Sequence, residues 1–365
     1  MKKTIISIAI TLSLVAFTGC GNQDKQELAA ESSQPEVSTV EESEKTFVDS
    51  AGREVTVPSD ITKIAPSGPL AQMVLYTAAP DLLVGTANSF PEAAADLFPE
   101  KYLELPEFGQ FYGKNASLNM EALSAAHPDV IIDIGEQKDT MKEDMDKLQE
   151  QLEIPTIFIE ANLDSMGETY QMLGELLNRP KEADKLSEYC DRVLAKAGEV
   201  REKLGDNKKT VYYASGEIGL DTNAEGSFHA QVLETSGVQN AAVGVEIASR
   251  GDGTTISMEQ LMQWQPEIIL AASGDVYDLI MKDDTWKNLE AVKSGQVYQV
   301  PTIPYNFLGF PPSVNRIIGL QWLGNLVYPE EYGLDIEEEV KEFYDLFYHV
   351  DLKEDKLKEI LENAG

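Results

Sequence analysis

Imidazole and thiolate are scarce in this 365-residue chain, which holds three histidines (His127, His229 and His349) and two cysteines (Cys20 and Cys190). A receptor site for bare zinc or manganese gathers several such ligands together with carboxylates, and so few scattered residues cannot build one. His229 alone could serve as an axial ligand to haem. Cys-x-x-Cys, the P-loop, Gly-x-Gly-x-x-Gly and Gly-x-Ser-x-Gly are all absent from the sequence, so no enzyme is expected. Acids are abundant everywhere, 63 against 29 Lys and Arg, so a pair of carboxylates carries no signal of glycosidase chemistry. The resulting net charge of −34 repels phosphate backbones and excludes nucleic acid as a partner. An anionic ligand would have to be met by a local cluster of donors working against that field. The groups left for such work are phenols, amides and a few cations. Phe111, Tyr112 and Tyr305 could stack on a planar ligand, and the tyrosines could offer phenolate oxygen to ferric iron; Lys114, Arg250 and Arg316 could hold an anion.

The elements that must position these groups are read from periodicity. Residues 46–58, TFVDSAGREVTVP, hold two β-prone runs around Ala51-Gly52, a hairpin signal. Short apolar strands at Ile61–Ala65, Leu82–Thr86, Val130–Ile134 and Thr156–Ile159 then alternate with helical stretches, which predicts parallel βαβ units. From Ser165 to Gly205 the pattern becomes helical. Ala183, Leu186, Cys190, Val193, Leu194, Ala197, Val200 and Leu204 form one stripe, and Pro180 starts the long helix after a break. Cys190 reads as a small buried hydrophobe. Strands resume at Thr210–Ala214, Ile268–Ala271 and Gln296–Val300, and an amphipathic helix runs from Ile336. The expected order is a signal peptide over 1–20, an acidic tether over 21–45, one α/β lobe over 46–165, a helical connector over 166–206, a second α/β lobe over 207–334 and a terminal helix over 335–365. Two Rossmann-like lobes on one stiff rod would leave a ligand cleft between them and allow only modest closure.

In open α/β sheets the loops after strands and the helix N-termini face such a crevice. That places Ser67 and Gln72 after the first strand, the Gly109–Lys114 loop with Phe111, Tyr112 and Lys114 before the strand at 130, and Tyr213 at the end of the strand at 210. His229, Arg250, Tyr305, Asn306 and Arg316 join them from the second lobe. Two readings of Arg316 stand open: a ligand contact, and a salt bridge to one of the many carboxylates.

At the N-terminus, Lys2 and Lys3 precede a short apolar core from Thr4 to Ala16, and Phe17-Thr18-Gly19-Cys20 follows. This reads as a bacterial lipoprotein signal, cut before a cysteine that carries the lipid, with a plain secretory signal as the alternative. Residues 21–45 are rich in Ser, Glu and Gln, cannot bury enough surface to offset ordering, and read as a flexible tether.

The most informative pattern is a near-duplication. Residues 117–132 and 255–270 both read Met-Glu-x-Leu, four residues, then Pro, an acid and an aliphatic strand, at an offset of 138 residues. Each copy is a short helix ended by a proline that feeds a buried strand. Glu121 and Glu259 thereby occupy matching points of two similar halves.

With residues 46–58, the duplicated segment, residues 285–301 (TWKNLEAVKSGQVYQVP) and the lipobox in this order, the chain resembles the ABC-importer binding proteins for iron chelates, haem and corrinoids. These have the class III periplasmic-binding-protein fold, with a single rigid inter-lobe helix. Residues 305–323 are similar to a branch of metal or oxyanion-complex receptors. The resemblance implies no cofactor and a monomer anchored to the cell membrane by lipid at Cys20. It implies a ferric chelate or other metal complex as ligand, with haem or a corrinoid, then an oxyanion such as molybdate, as alternatives. It also implies docking of Glu121 and Glu259 on arginines of a permease dimer that works with its ATPase. An adhesion or hydrolase lipoprotein on a similar frame is the reading from a different class.

Overall fold

A computed structural model describes residues 43–112, 116–246, 253–309 and 311–365. Lys114, Arg250 and Cys20, the signal peptide and most of the tether lie outside the described residues. Phe47, Val55 and Val57 are buried and alternate with exposed neighbours, so β1 (Glu44–Val48) and β2 (Glu54–Pro58) form the expected antiparallel hairpin. Gly52 supplies the φ of 70° at its turn. Arg53 fastens the hairpin to the first lobe, donating from Nη1 to Asp49 Oδ2 at 3.0 Å and to the Thr156 carbonyl at 2.8 Å.

Two parallel sheets follow. β3 (Ile64–Pro66), β4 (Val130–Gly135) and β5 (Thr156–Glu160) form the first in the order β3-β4-β5. The second is built from β6 (Thr210–Ala214), β8 (Gln239–Asn240), β10 (Ile268–Ala271) and β11 (Val297–Gln299), in the order β11-β10-β6-β8, while β7 (Asp221–Thr222) and β9 (Thr254–Thr255) pair as a small antiparallel ribbon. β4 and β10 each sit inside their sheet and are buried on both faces, which is why neither alternates apolar with polar residues. An isolated parallel bridge from Ile64 to Leu83 extends the first sheet beyond β3, where β8 flanks β6 in the second. The two lobes therefore share one strand order.

Two predicted strands are cut short for local reasons. The N–H groups of Thr62 and Lys63 donate to Asp129 Oδ2, at 2.7 and 2.9 Å, and so leave the ladder until Ile64. Pro80 opens a 3-10 turn that takes in Leu82, so the run from Leu82 to Thr86 reaches the sheet only through bridges.

The helical tract divides where Pro180 predicted, into Met166–Leu176 and Pro180–Leu204. The second of these, the spine helix, is 25 residues long, about 37 Å at the ordinary rise. Gly174 lets the two helices touch, since a Cβ there would stand 2.4 Å from that of Ala183. The spine's buried face includes Cys190, fully enclosed.

The terminal segment is not one helix but two, Ile336–Tyr348 and Glu354–Ile360, separated at His349, which takes a φ of 59°. The first of them buries Phe343, Tyr344, Phe347 and Tyr348. It packs against the first helix of lobe one, Pro69–Ala78, and against Asn315–Val327 of lobe two. Its rings meet Phe98, Tyr170 and Tyr189. The lobes are thus joined by an aromatic layer as well as by the spine. Tyr189 adds a polar link, donating to Gln321 Oε1 at 2.7 Å, while Gln321 donates to Glu339 of the terminal helix.

Candidate ligand site

The strands of lobe one end at a cavity of about 460 Å³, within the range of small-molecule sites. Ser67 to Ala71 line it from the turn after β3, where Pro69 starts the following helix. Gln110 and Tyr112 come from the loop before the duplicated helix, and Asp133 to Glu136, Lys138 and Met141 from the end of β4 and beyond. Phe228, in a 3-10 turn of lobe two, faces them. Asp133 is buried and holds the wall together. Ser67 Oγ donates to its Oδ1, and Tyr112 donates to its Oδ2 at 2.6 Å. Burial raises the Asp133 pKa, opposed by those two hydrogen bonds and by the charge of Lys138.

Behind Phe228 lies Arg316, fully buried in the first turn of Asn315–Val327. Its guanidinium carbon stands 4.5 Å from the Phe228 ring centre. Nη1 donates to Gln231 Oε1 at 2.8 Å and to the Phe228 carbonyl at 3.4 Å, whereas Nε and Nη2 have no hydrogen-bond partner among the described residues. Burial pushes its pKa down to about 10, against the attraction of Asp164 and Glu136 from the first lobe. Among the described residues Arg316 forms no salt bridge, which is the second of the two readings of this arginine. The helix begins at Asn315, whose Oδ1 accepts from the Ser313 N–H and holds the residues before it in a turn. His229 lies beside Arg316, and its pKa is lowered by burial first and by that positive charge second.

Several expected residues lie away from this cavity. Gln72 is buried and its Oε1 accepts from the Ala87 and Asn88 N–H groups at 2.8 and 3.0 Å, so it shapes a loop instead. Phe111 points into the core of lobe one, packed with Phe108 and Leu123. Tyr213 is buried within β6, its hydroxyl bonded to the Asn306 side chain, and Asn306 in turn donates to the Ala272 carbonyl at 3.0 Å. Tyr305 packs against the aromatic layer. In each case the loop was placed at the crevice and the side chain turned inward, a choice that packing makes. Ser67 and Tyr112 line the cavity, with Phe228 between them and Arg316. Asp133, Glu136 and Lys138 were missed. The available signal was an acid interrupting the apolar run Val-Ile-Ile-Asp-Ile-Gly; the matching position of the second copy is Ala271, so the duplication gave no hint of it.

The duplicated helices are alike in detail. Met120–Ala126 is capped by Asn119, accepting from the Ala122 N–H, and Met258–Trp264 by Ser257, accepting from the Gln260 N–H. Both end on a left-handed residue, His127 or Gln265, before the proline. Glu121 and Glu259 are exposed in the first turns, one per lobe. Among the described residues, no group of three or more His, Cys, Asp and Glu could hold a bare metal ion.

Two α/β lobes of one topology, a spine and a cavity at the strand ends make up the frame of a solute receptor. Residues 76–304 match the periplasmic binding protein family, and the chain belongs to it. It is similar in structure to an ABC transporter solute binding protein from Sulfurospirillum deleyianum, with a TM-score of 0.78 and 29% identity over 86% of this chain and 98% of that one. In sequence it is 22% identical over 339 residues to the molybdate-binding protein MolA of Haemophilus influenzae, covering 86% of this chain and 93% of that protein. It is also 24% identical over 190 residues to the Fe(3+)-citrate-binding protein YfmC of Bacillus subtilis, covering 51% of this chain and 58% of that protein.

Proposed function

We propose that this ABC-importer substrate-binding protein captures an anionic ferric chelate in the inter-lobe cavity and delivers it to a permease dimer and its ATPase. The observation that carries the reading is Arg316, a guanidinium buried directly behind the Phe228 wall of the cavity, two of whose nitrogens have no hydrogen-bond partner among the described residues. Such a group gains most by meeting an anionic oxygen. A cavity of about 460 Å³ suits a chelate, and a bare tetrahedral oxyanion would leave most of it to water. The Fe(3+)-citrate relative supports this choice. The molybdate relative, aligned over more of the chain, supports an oxyanion as a second reading. The protein works as a monomer outside the cytoplasm, held to the membrane by lipid on Cys20. Among the described residues no helix is long and apolar enough to cross a membrane.

A thermal-shift panel of ferric citrate, ferric siderophores, haem, cobalamin and molybdate tests the ligand, because whatever binds the native state raises its melting temperature. A ferric chelate is expected to give the largest rise. A Soret band that disappears in His229→Ala would replace the chelate with haem, and a response to molybdate alone would replace it with the oxyanion. Indifference to the whole panel would favour an adhesin or hydrolase.

Docking is assigned to Glu121 and Glu259, whose carboxylates stand on separate lobes and can meet two arginines of a symmetric permease. Reversing both charges (E121R with E259R) is expected to reduce uptake into cells more than tenfold and to leave chelate affinity within about twofold. Normal uptake by the double variant would reject this assignment.

A further inference from the structure

A carboxylate is the wrong group to set before an anion, yet Asp133 stands on the cavity wall at the end of the central strand β4. Its neighbours explain what it does there. A serine or tyrosine hydroxyl carries a single proton. Ser67 gives its proton to Asp133 Oδ1, and Tyr112 gives its own to Oδ2. Neither hydroxyl can then donate to anything in the cavity, and both can still accept. Ser67, Asp133 and Tyr112 together offer the cavity lone pairs and no protons. Glu136 adds further acceptors to the same wall, and among the described residues that line it Lys138 is the one cation. Burial holds the Asp133 pKa up, so a ligand donor that relieves the carboxylate is worth more there than at the surface.

We infer that Ser67, Asp133 and Tyr112 form an acceptor-only subsite that selects metal complexes bearing O–H or N–H groups, iron-bound water and chelator amides foremost, and rejects fully deprotonated tetrahedral oxyanions. This deepens the chelate reading and rests on it for the identity of the ligand. A site built to accept hydrogen bonds discriminates against an analogue without the protons, since its own oxygens are left facing an anion.

Asp133→Asn tests the subsite. The amide can satisfy one hydroxyl by donating to it, which frees that hydroxyl's proton for the ligand. By titration calorimetry, the variant is expected to bind ferric citrate about tenfold more weakly and molybdate at least tenfold more tightly than the parent protein. Unchanged ferric citrate binding with no gain for molybdate would overturn the subsite and leave the chelate reading in place. Failure of the parent to bind any ferric chelate of the panel would remove the chelate reading, while a molybdate gain in the variant would still support the role of Asp133. Should the variant not fold, the parent protein decides alone at pH 8. Hydrogen phosphate and sulfate there have the same charge and shape and differ by one O–H. Hydrogen phosphate must bind more tightly; equal affinity, or no binding of either, overturns the inference.

Discussion

Replacing Arg316 with methionine is expected to weaken ferric citrate binding about 100-fold, on the order of 3 kcal/mol, while the melting temperature of the empty protein stays level or rises. Both halves of this result follow from one geometry. The guanidinium is fully buried, keeps two nitrogens without partners among the described residues and has its pKa pushed down to about 10. The empty protein therefore carries a desolvated charge that its own residues compensate only in part. Replacing such a charge by an apolar group of similar length is commonly neutral or stabilising, and methionine can keep the contact with Phe228. On the proposed reading, an anionic oxygen that reaches past Phe228 meets the same nitrogens, and their loss is felt in full. Arg316→Lys is not expected to rescue binding, because an ammonium lacks the planar fork and the stacking face. Calorimetric titration and scanning calorimetry read the two effects separately. Full affinity in Arg316→Met would show that the ligand does not reach this arginine.

Truncating Phe347 to alanine is expected to cost about 3–5 kcal/mol, read as a fall in the urea midpoint. Phe347 is fully buried at the meeting of three elements. Its ring centre lies 4.7 Å from that of Phe343 in a stack, 5.2 Å from Tyr189 on the spine, and 5.8 Å from Tyr170 on the helix before the spine. The cavity left behind would be walled by large rings fixed in three different elements, so it could not collapse. A change below about 1 kcal/mol, the size ordinary for an unremarkable site, would show that the aromatic layer does not couple the lobes. The same layer limits how far the lobes can swing, because parting them would expose several rings at once.

Much of the frame was legible in the chain before any coordinates. Strand and helix periods, Pro180 at the start of the spine and the 138-residue repeat are local patterns, and each maps onto an element that near neighbours in sequence stabilise. Glu121 and Glu259 could be placed on matching helix starts for the same reason: the caps, the proline and the following strand all lie within one short segment. Site residues were a different matter. Ser67, Tyr112 and Asp133 come from three segments that touch only when β3 and β4 pair and the intervening loop folds over them. Gln72, Phe111 and Tyr213 share the right loops and strands but turn inward, since which way a side chain points depends on the volume left by its neighbours. The terminal helix showed its apolar stripe in the sequence, though not that the stripe would lie across both lobes. Periodicity, capping and repetition are properties of contiguous residues, so the sequence alone determined the two-lobe frame. Burial and hydrogen-bond partnership belong to residues far apart in the chain, so only tertiary packing decided that Arg316 would be left with donors unmet among the described residues and that Asp133 would accept the hydrogen bonds of Ser67 and Tyr112.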